Sequence, residues 1–562
     1  MKNPTEHAMR NILLLFALIV HSTAMYSQVS SKFIPTFLVK YCGPGNGKLS
    51  PAETARYDLL ITNYHHHHAW AEDGMNSWNT LKSYNPDMIV ALYMLGPGLY
   101  NTASWGEIGQ GWEWMKEHHG ATSGNEQWTA SGHRFSYLAP QPSPNERLMN
   151  IGNTDWQRYW IDTVYHDFML RIPENARGVD AVFADNTHYK VIWQNRWYDE
   201  EHVGDPSFLD HPIHYADSSG KYNNDKWRSD TRAFLNIASY SLNQKAIPLK
   251  LLPNFGYSGS NPEYWANLDS LQYPLHAAME EAGFVCPWAH SYSVWDWKRK
   301  VDVMKNMKNT AVLMTCMGQR VPGSGLEKMD SVMSAGNMGP TTGWEALWYS
   351  ICSFLLALNE EKSNGYLTFT AWGYCENHWL DEFDARYLHL GDPLGDYYII
   401  DGVAYREFDD GWVVVNTPHN GHKSNLPVPF GRARVITHSN FKHADDALLV
   451  THFDIDNYRG LILLREGKKI GNEDNISDVP DIPESKEVLT VFPNPFQNRI
   501  TLNANTRISH VIVYDMLGNV VMEQETNSNT TTISLSGLTS NVYIIQAYSG
   551  DVPSSSKVVR IR

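Results

Sequence analysis

The sequence predicts an α/β protein built as a (β/α)₈ TIM barrel over residues 28–385. A small antiparallel β-domain over 386–466 and a C-terminal all-β sandwich over 488–562 complete it. Three observations predict this. Short apolar strands alternate with longer helical stretches from Lys32 to about Trp372, which is the rhythm of a parallel sheet. Eight such strands fit into roughly 340 residues, as a barrel with long loops requires. Beyond Gly402 the helical stretches stop and short strands separated by turns take over.

The eight strands read as Phe33–Tyr41, Tyr57–Tyr64, Met88–Leu95, Gly178–Asp185, Leu249–Tyr257, Leu275–Glu281, Thr310–Met317 and Gly365–Trp372. Helices are predicted between several of them, at Trp156–Leu170, Arg228–Asn243, Trp295–Asn309 and Trp344–Asn359. A doubly wound open sheet would need a phosphate-binding glycine loop after its first strand, and Cys42-Gly43-Pro44-Gly45 lacks that form. In the β-domain, Gly402–Phe408, Gly411–Asn416, Arg434–Thr437 and Leu448–Phe453 read as antiparallel strands. Residues 467–487 are polar and acidic, with Pro480 and Pro483, and read as a linker.

At 562 residues the chain exceeds one hydrophobic core and implies several domains. A net charge of −16 argues against nucleic acid as a partner, because phosphate binding needs clustered Lys and Arg. Residues 1–27 read as a secretory signal peptide: Lys2 and Arg10 precede the apolar run Ile12–Val20, and small residues follow near Ser22, Ala24 and Ser27. The five Cys are widely spaced with no C-x-x-C pair, which excludes a zinc ribbon and a dense disulfide framework. Twenty Trp and 30 Tyr suit both a large core and stacking against sugar rings.

Catalytic groups of a barrel sit where its strands end. The fourth strand delivers Asp185 at its last position, behind an apolar run that makes an unpartnered acid costly. The sixth ends in Glu280 and Glu281; neighbouring strand residues face opposite ways, so only one of them points into the mouth. A pair of carboxyl groups from distant segments is what glycosidic bond hydrolysis needs, one protonated to assist the leaving oxygen and one ionised. The expected catalytic residues are therefore Asp185 with Glu281 or Glu280. Asn254, Tyr93, Tyr64, Asn63, His188, Gln319 and Trp372 lie near strand ends and are expected to bind substrate. The run His65–His68 is read as an extended loop whose side chains diverge, so no metal site and no cofactor are expected. There is no G-x-S-x-G elbow and no P-loop.

Two resemblances add to this. Val491-Phe492-Pro493-Asn494-Pro495, Val511–Gly518, Leu535–Leu538 and Lys557–Arg560 resemble, in order, a type IX secretion sorting domain. That resemblance implies a bacterial protein carried to the outer surface by the type IX machinery, attached there or released, with residues 488–562 as the address. The segments Gly178–Asn186, Leu252–Gly256, Ala278–Phe284, Tyr349–Asn359 and Leu390–Pro393 resemble a family of TIM-barrel glycoside hydrolases among secreted bacterial proteins. Tyr405–Phe408 with Gly411–Asn416 completes the set and matches the β-domain that follows the barrel in that family. The resemblance places the strand-four acid on Asp185 and the strand-six acid on Glu280 or Glu281. Where the family has glycine, this chain has Ala181 and Ala277 or Ala278, so the choice of glutamate stays open. It implies an extracellular glycosidase; the competing expectations are a non-catalytic carbohydrate-binding surface protein and an adhesin on the same scaffold.

Overall fold

All eight segments named above contain a parallel strand in the computed structural model. It describes residues 32–41, 49–72, 75–100, 135–137, 146–166, 169, 178–191, 197–199, 214–215, 219, 221–256, 258–286, 294–318, 326–334, 340–370, 374, 378–471, 490–492, 496–515, 520–536, 542–549 and 552–559. The proposed signal peptide, Gln319, Trp372, Cys42, Cys375 and most of the expected linker lie outside the described residues. The strands are β1 (Phe37–Lys40), β2 (Leu59–Thr62), β3 (Ile89–Leu95), β4 (Ala181–Asp185), β5 (Lys250–Pro253), β6 (Ala277–Glu280), β7 (Ala311–Met317) and β8 (Gly365–Thr370). They are joined by α1 (Ser77–Tyr84), α2 (Thr154–Tyr165), α3 (Asn224–Asn243), α4 (Pro262–Asp269), α5 (Val294–Asn306) and α6 (Gly343–Ala357).

The first five strands form one parallel sheet in chain order and the last three another. Single parallel bridges link them at both ends, Asn254 to Met279 and Thr36 to Leu367. The strands therefore follow one another in sequence and the last returns beside the first. Alternation along each strand sorts the side chains into two sets. Phe37, Ile61, Tyr93, Phe183, Leu252 and Met279 belong to a buried cluster drawn from one face of the strands. Leu38, Leu60, Val182 and Ala278 face the other way, into a larger core shared with Trp160, Phe234, Trp297 and Phe354 of the helices.

The helices start where the sequence supplies caps. Asn153 and Asn223 cap α2 and α3, and Thr342 forms a capping box with Glu345 at the start of α6. Helix α6 is buried almost all round, because it is covered by the strand layer on one side and by a second sheet on the other. That second sheet contains β9 (Tyr398–Ile400), β10 (Val403–Glu407), β11 (Gly411–Asn416), β13 (Ala433–Ile436), β14 (Leu449–Val450) and β16 (Gly460–Arg465), in the order β9-β10-β11-β16-β13-β14. A separate antiparallel pair, β12 (Lys423–Pro427) with β15 (His452–Ile455), packs on its far face through Phe453 and Ile455. Gly460 permits the close approach to α6, since a Cβ there would lie 2.6 Å from that of Cys352. Arg406 reinforces the contact: its Nη1 donates to the carbonyls of Leu355, Leu356 and Leu358 at the C-terminal end of α6.

The chain divides into two compact units, Met1–Ile476 and Ser477–Arg562. The second is all-β. Strands β17 (Thr490–Phe492), β18 (Arg499–Asp515), β19 (Val520–Ser534), β20 (Val542–Ser549) and β21 (Val552–Val559) pair antiparallel around a core of their own that includes Ile500, Val513, Ile533 and Ile545. Among the described residues no helix is long and apolar enough to cross a membrane.

Candidate active site

Asp185 ends β4 on the same face as Ala181 and Phe183, so it stands at the C-terminal rim of the inward-facing set. The chain turns sharply behind it: Asn186 has φ +57°, a left-handed conformation that Asn adopts more readily than most residues. The turn aims the Asn186 N–H at Asp185 Oδ1, 2.9 Å away. It also packs Thr187 under Gly96 at the end of β3, where a Cβ would lie 2.0 Å from the Thr187 hydroxyl.

The same alternation places Asn254 just beyond β5 and Glu281 just beyond β6 on this face. Their side chains meet Asp185. The Asn254 amide nitrogen donates to Asp185 Oδ1 at 2.8 Å and to Glu281 Oε2 at 3.0 Å. One amide thus bridges the two acids, and these oxygens lie no more than about 5.8 Å apart, the sum of the 2.8 and 3.0 Å bonds. The Tyr93 hydroxyl donates to Asp185 Oδ2 at 2.7 Å, and the Tyr374 hydroxyl donates to Glu281 Oε1 at 2.8 Å. Tyr41 sits between those two tyrosines, edge-on to each, with ring centroids 5.1 and 5.3 Å away.

Glu281 sits where its charged form is disfavoured. Burial pushes the Glu281 carboxyl above the usual carboxylate range, and the nearby charge of Asp185 pushes the same way. The bonds from Asn254 and Tyr374 act against these, and the charge of Glu280 adds to them. Burial, followed by the charge of Glu281, holds the Tyr374 hydroxyl well above its ordinary value, so it stays a donor. Asp185 receives three donors on its two oxygens, from Tyr93, Asn186 and Asn254.

His188 donates from Nδ1 to the Phe255 carbonyl at 2.7 Å, and burial lowers its proton affinity, so its ring is neutral beside the acids. Glu280 points the opposite way from Glu281. Its carboxylate is 1% exposed and accepts from the Ser258 and Ala282 amides, beneath the rim. Asn63 and Tyr64 lie on the neighbouring rim after β2, where Asn63 donates to the Tyr41 carbonyl and Tyr64 stacks on His67.

The histidine run is not extended, as the sequence reading had it. Tyr64–His66 form a 3₁₀ turn held by His66 N–H to Asn63 O and His67 N–H to Tyr64 O, and His66 folds back onto the Thr62 hydroxyl at 2.8 Å. Local backbone bonds outweigh the extended geometry there. Tyr41 and Tyr374 are absent from the sequence-derived site. Tyr41 could have been found by counting two past Val39 along the inward face. Tyr374 sits four residues past the end of β8, where no periodicity applies.

Two carboxyl groups are thus bridged by one amide at the C-terminal ends of parallel strands. Residues 82–412 match hypothetical glycosyl hydrolase family 15, and the chain belongs to that family. Residues 490–561 match the secretion system C-terminal sorting domain, which marks the protein as secreted or attached to the cell surface. No curated protein matches the chain. Among solved structures it is similar to a Bacteroides uniformis beta-glucuronidase 2, at 11% identity over 94% of this chain and 46% of that one, with a TM-score of 0.28. The chain thus spans about half that enzyme's length. Gamma-CGTase from alkalophilic Bacillus clarkii is 9% identical over 94% of this chain and 84% of that one, with a TM-score of 0.35. Isomaltulose synthase from Klebsiella sp. LX3 is 10% identical over 76% and 98%, with a TM-score of 0.39. The assignment rests on the family match.

Proposed function

We propose that the protein is an extracellular retaining glycosidase acting on a polysaccharide or oligosaccharide, with Asp185 as nucleophile and Glu281 as acid/base. In this reading the eight strands form a (β/α)₈ catalytic barrel over residues 28–385. Residues 386–466 are its accessory β-domain, and 488–562 engage the type IX machinery. The observation that carries it is the Asn254 amide held between Asp185 and Glu281. Retaining enzymes keep their carboxyl groups about 5–5.5 Å apart and inverting ones roughly 6.5–9.5 Å, to admit a water. An amide shared by two oxygens leaves no room for the longer spacing between them.

Each residue then has a task. Glu281, protonated because it is buried beside a negative charge, gives its proton to the leaving glycosidic oxygen as Asp185 attacks the anomeric carbon. The bond to the leaving oxygen breaks and an ester to Asp185 forms. Glu281, now ionised, takes a proton from water, which attacks the same carbon and releases Asp185. Tyr93 and Asn254 orient Asp185 throughout, and Tyr374 and Asn254 orient Glu281. Neutral His188, Asn63 and Tyr64 stand on the rim where a sugar would contact them, and Gln319 and Trp372 are proposed as further substrate-binding residues.

The test is release of reducing ends from a panel of polysaccharides by wild type, Asp185→Asn and Glu281→Gln. Release by the wild type and loss of about 10³-fold or more in either variant supports the reading, since each removes a group acting directly on the reacting bond. Binding of a sugar by all three proteins, with release by none, would instead favour a non-catalytic binding protein.

A further inference from the structure

We infer that Glu280 and Lys300, two buried charged residues on the opposite face of the strand layer from Asp185 and Glu281, are the positioning residues that set Glu281 and Asn254. The inference rests on the catalytic reading above. Both are buried, at 1% and 3% exposed. Charges so buried are costly unless they have defined partners, and these do. Glu280 accepts from Ser258 N–H at 2.6 Å and from Ala282 N–H at 3.1 Å. Lys300, reaching up from α5, donates to the carbonyls of Ala282 and Gly283.

Ser258 is four residues beyond Asn254, and Ala282 immediately follows Glu281. The two charged groups therefore grip, from behind, the two loops that carry the bridging amide and the acid. The surroundings leave the loops little freedom. The Phe255 and Gly256 amides both donate to the Met279 carbonyl at 2.9 Å, tying the β5 loop to β6. A Cβ on Gly283 would meet the Thr315 carbonyl oxygen at 2.3 Å, and one on Gly259 would meet Lys300 Cε at 2.9 Å. A shift at Ala282 thus passes directly to Glu281.

Electrostatics give the pair a second effect. The charge of Glu280 favours the protonated form of Glu281, in the same direction as burial and Asp185. Other titratable groups around the pair are His188, Asp296, Cys286 and Cys316. The Glu280 charge offsets part of the burial that lowers the proton affinity of Lys300.

Full-length Glu280→Gln, Lys300→Met and the double variant should be compared with wild type by kcat, KM and the pH profile of kcat/KM. Glu280→Gln keeps the shape, loses the charge and one amide bond, and should lower kcat about tenfold with KM within about twofold. Its alkaline limb should move to lower pH, because Glu281 loses a neighbouring negative charge. Lys300→Met should be worse than Glu280→Gln, and the double variant no worse than Glu280→Gln alone, because it leaves no unpaired buried charge. Should Lys300→Met fail to fold, Glu280→Gln and the double variant still decide. A Glu280→Gln profile and kcat coincident with wild type, or losses that simply add in the double variant, would overturn the inference. Activity surviving Asp185→Asn or Glu281→Gln would instead overturn the catalytic reading on which it rests.

Discussion

Replacing Asn254 by Ala removes one amide and, with it, contacts to both acids. The bonds lost are 2.8 Å to Asp185 and 3.0 Å to Glu281. A hydrogen bond to a charged group contributes about 1.5–3 kcal/mol. If only the bond to one acid strengthens at the transition state, kcat/KM falls about 10- to 150-fold; if both do, the loss approaches the square of that. The pH profile supplies the sharper check. Asn254 opposes the burial and the Asp185 charge that raise the Glu281 carboxyl. Without it Glu281 holds its proton to higher pH, so the alkaline limb of kcat/KM moves up, the opposite of the shift expected for Glu280→Gln. The assay is initial-rate release from the best polysaccharide across pH, with circular dichroism to confirm folding. A limb that moves down, or a kcat/KM within threefold of wild type, would refute the assignment of Glu281 as the acid held by Asn254.

Three further outcomes are expected. Proton NMR of the first-formed sugar should show the substrate's anomeric configuration retained; the inverted anomer would mean that a water fits between the acids. Glu281→Gln should raise the thermal midpoint at neutral pH, because burial makes the ionised carboxylate unfavourable in the folded state. The native protein holds that proton more tightly than the unfolded chain, so the wild type loses stability as pH rises from the ordinary glutamate range through the raised value. The advantage of Gln should therefore shrink toward low pH in melting experiments, and a gap constant across pH would contradict it. Arg406→Met should destabilise the protein by about 3 kcal/mol or more, because the buried α6 carbonyls lose their donor; an unchanged melting transition would show that these bonds contribute nothing.

How much of this was legible beforehand follows from what is local. Alternation located the parallel strands, and reading the last residue of one of them found Asp185. Asn254 and Tyr93 came from the same rule. Glu280 and Glu281 could not be separated, because neighbouring residues of a strand differ only in which face they take. The inward face is decided by Ala277 and Met279 joining the cluster of Phe183 and Leu252. The order of the second sheet was equally closed to the sequence, since β16 (from Gly460) inserts between β11 (to Asn416) and β13 (to Ile436), both far earlier in the chain.

The sequence by itself determined the parallel strands, four of the helices, the family and the sorting domain, and it pointed to Asp185 at a strand end. Each is written in residue type and short-range period. Only the tertiary structure decided that one amide bridges Asp185 and Glu281, that Tyr374 and Tyr41 belong to the site, and that Glu280 faces away from it. Those facts depend on strands from distant parts of the chain returning side by side. The bridge exists because β4, β5 and β6 lie side by side, and Tyr374 and Tyr41 join it because the last strand lies beside the first.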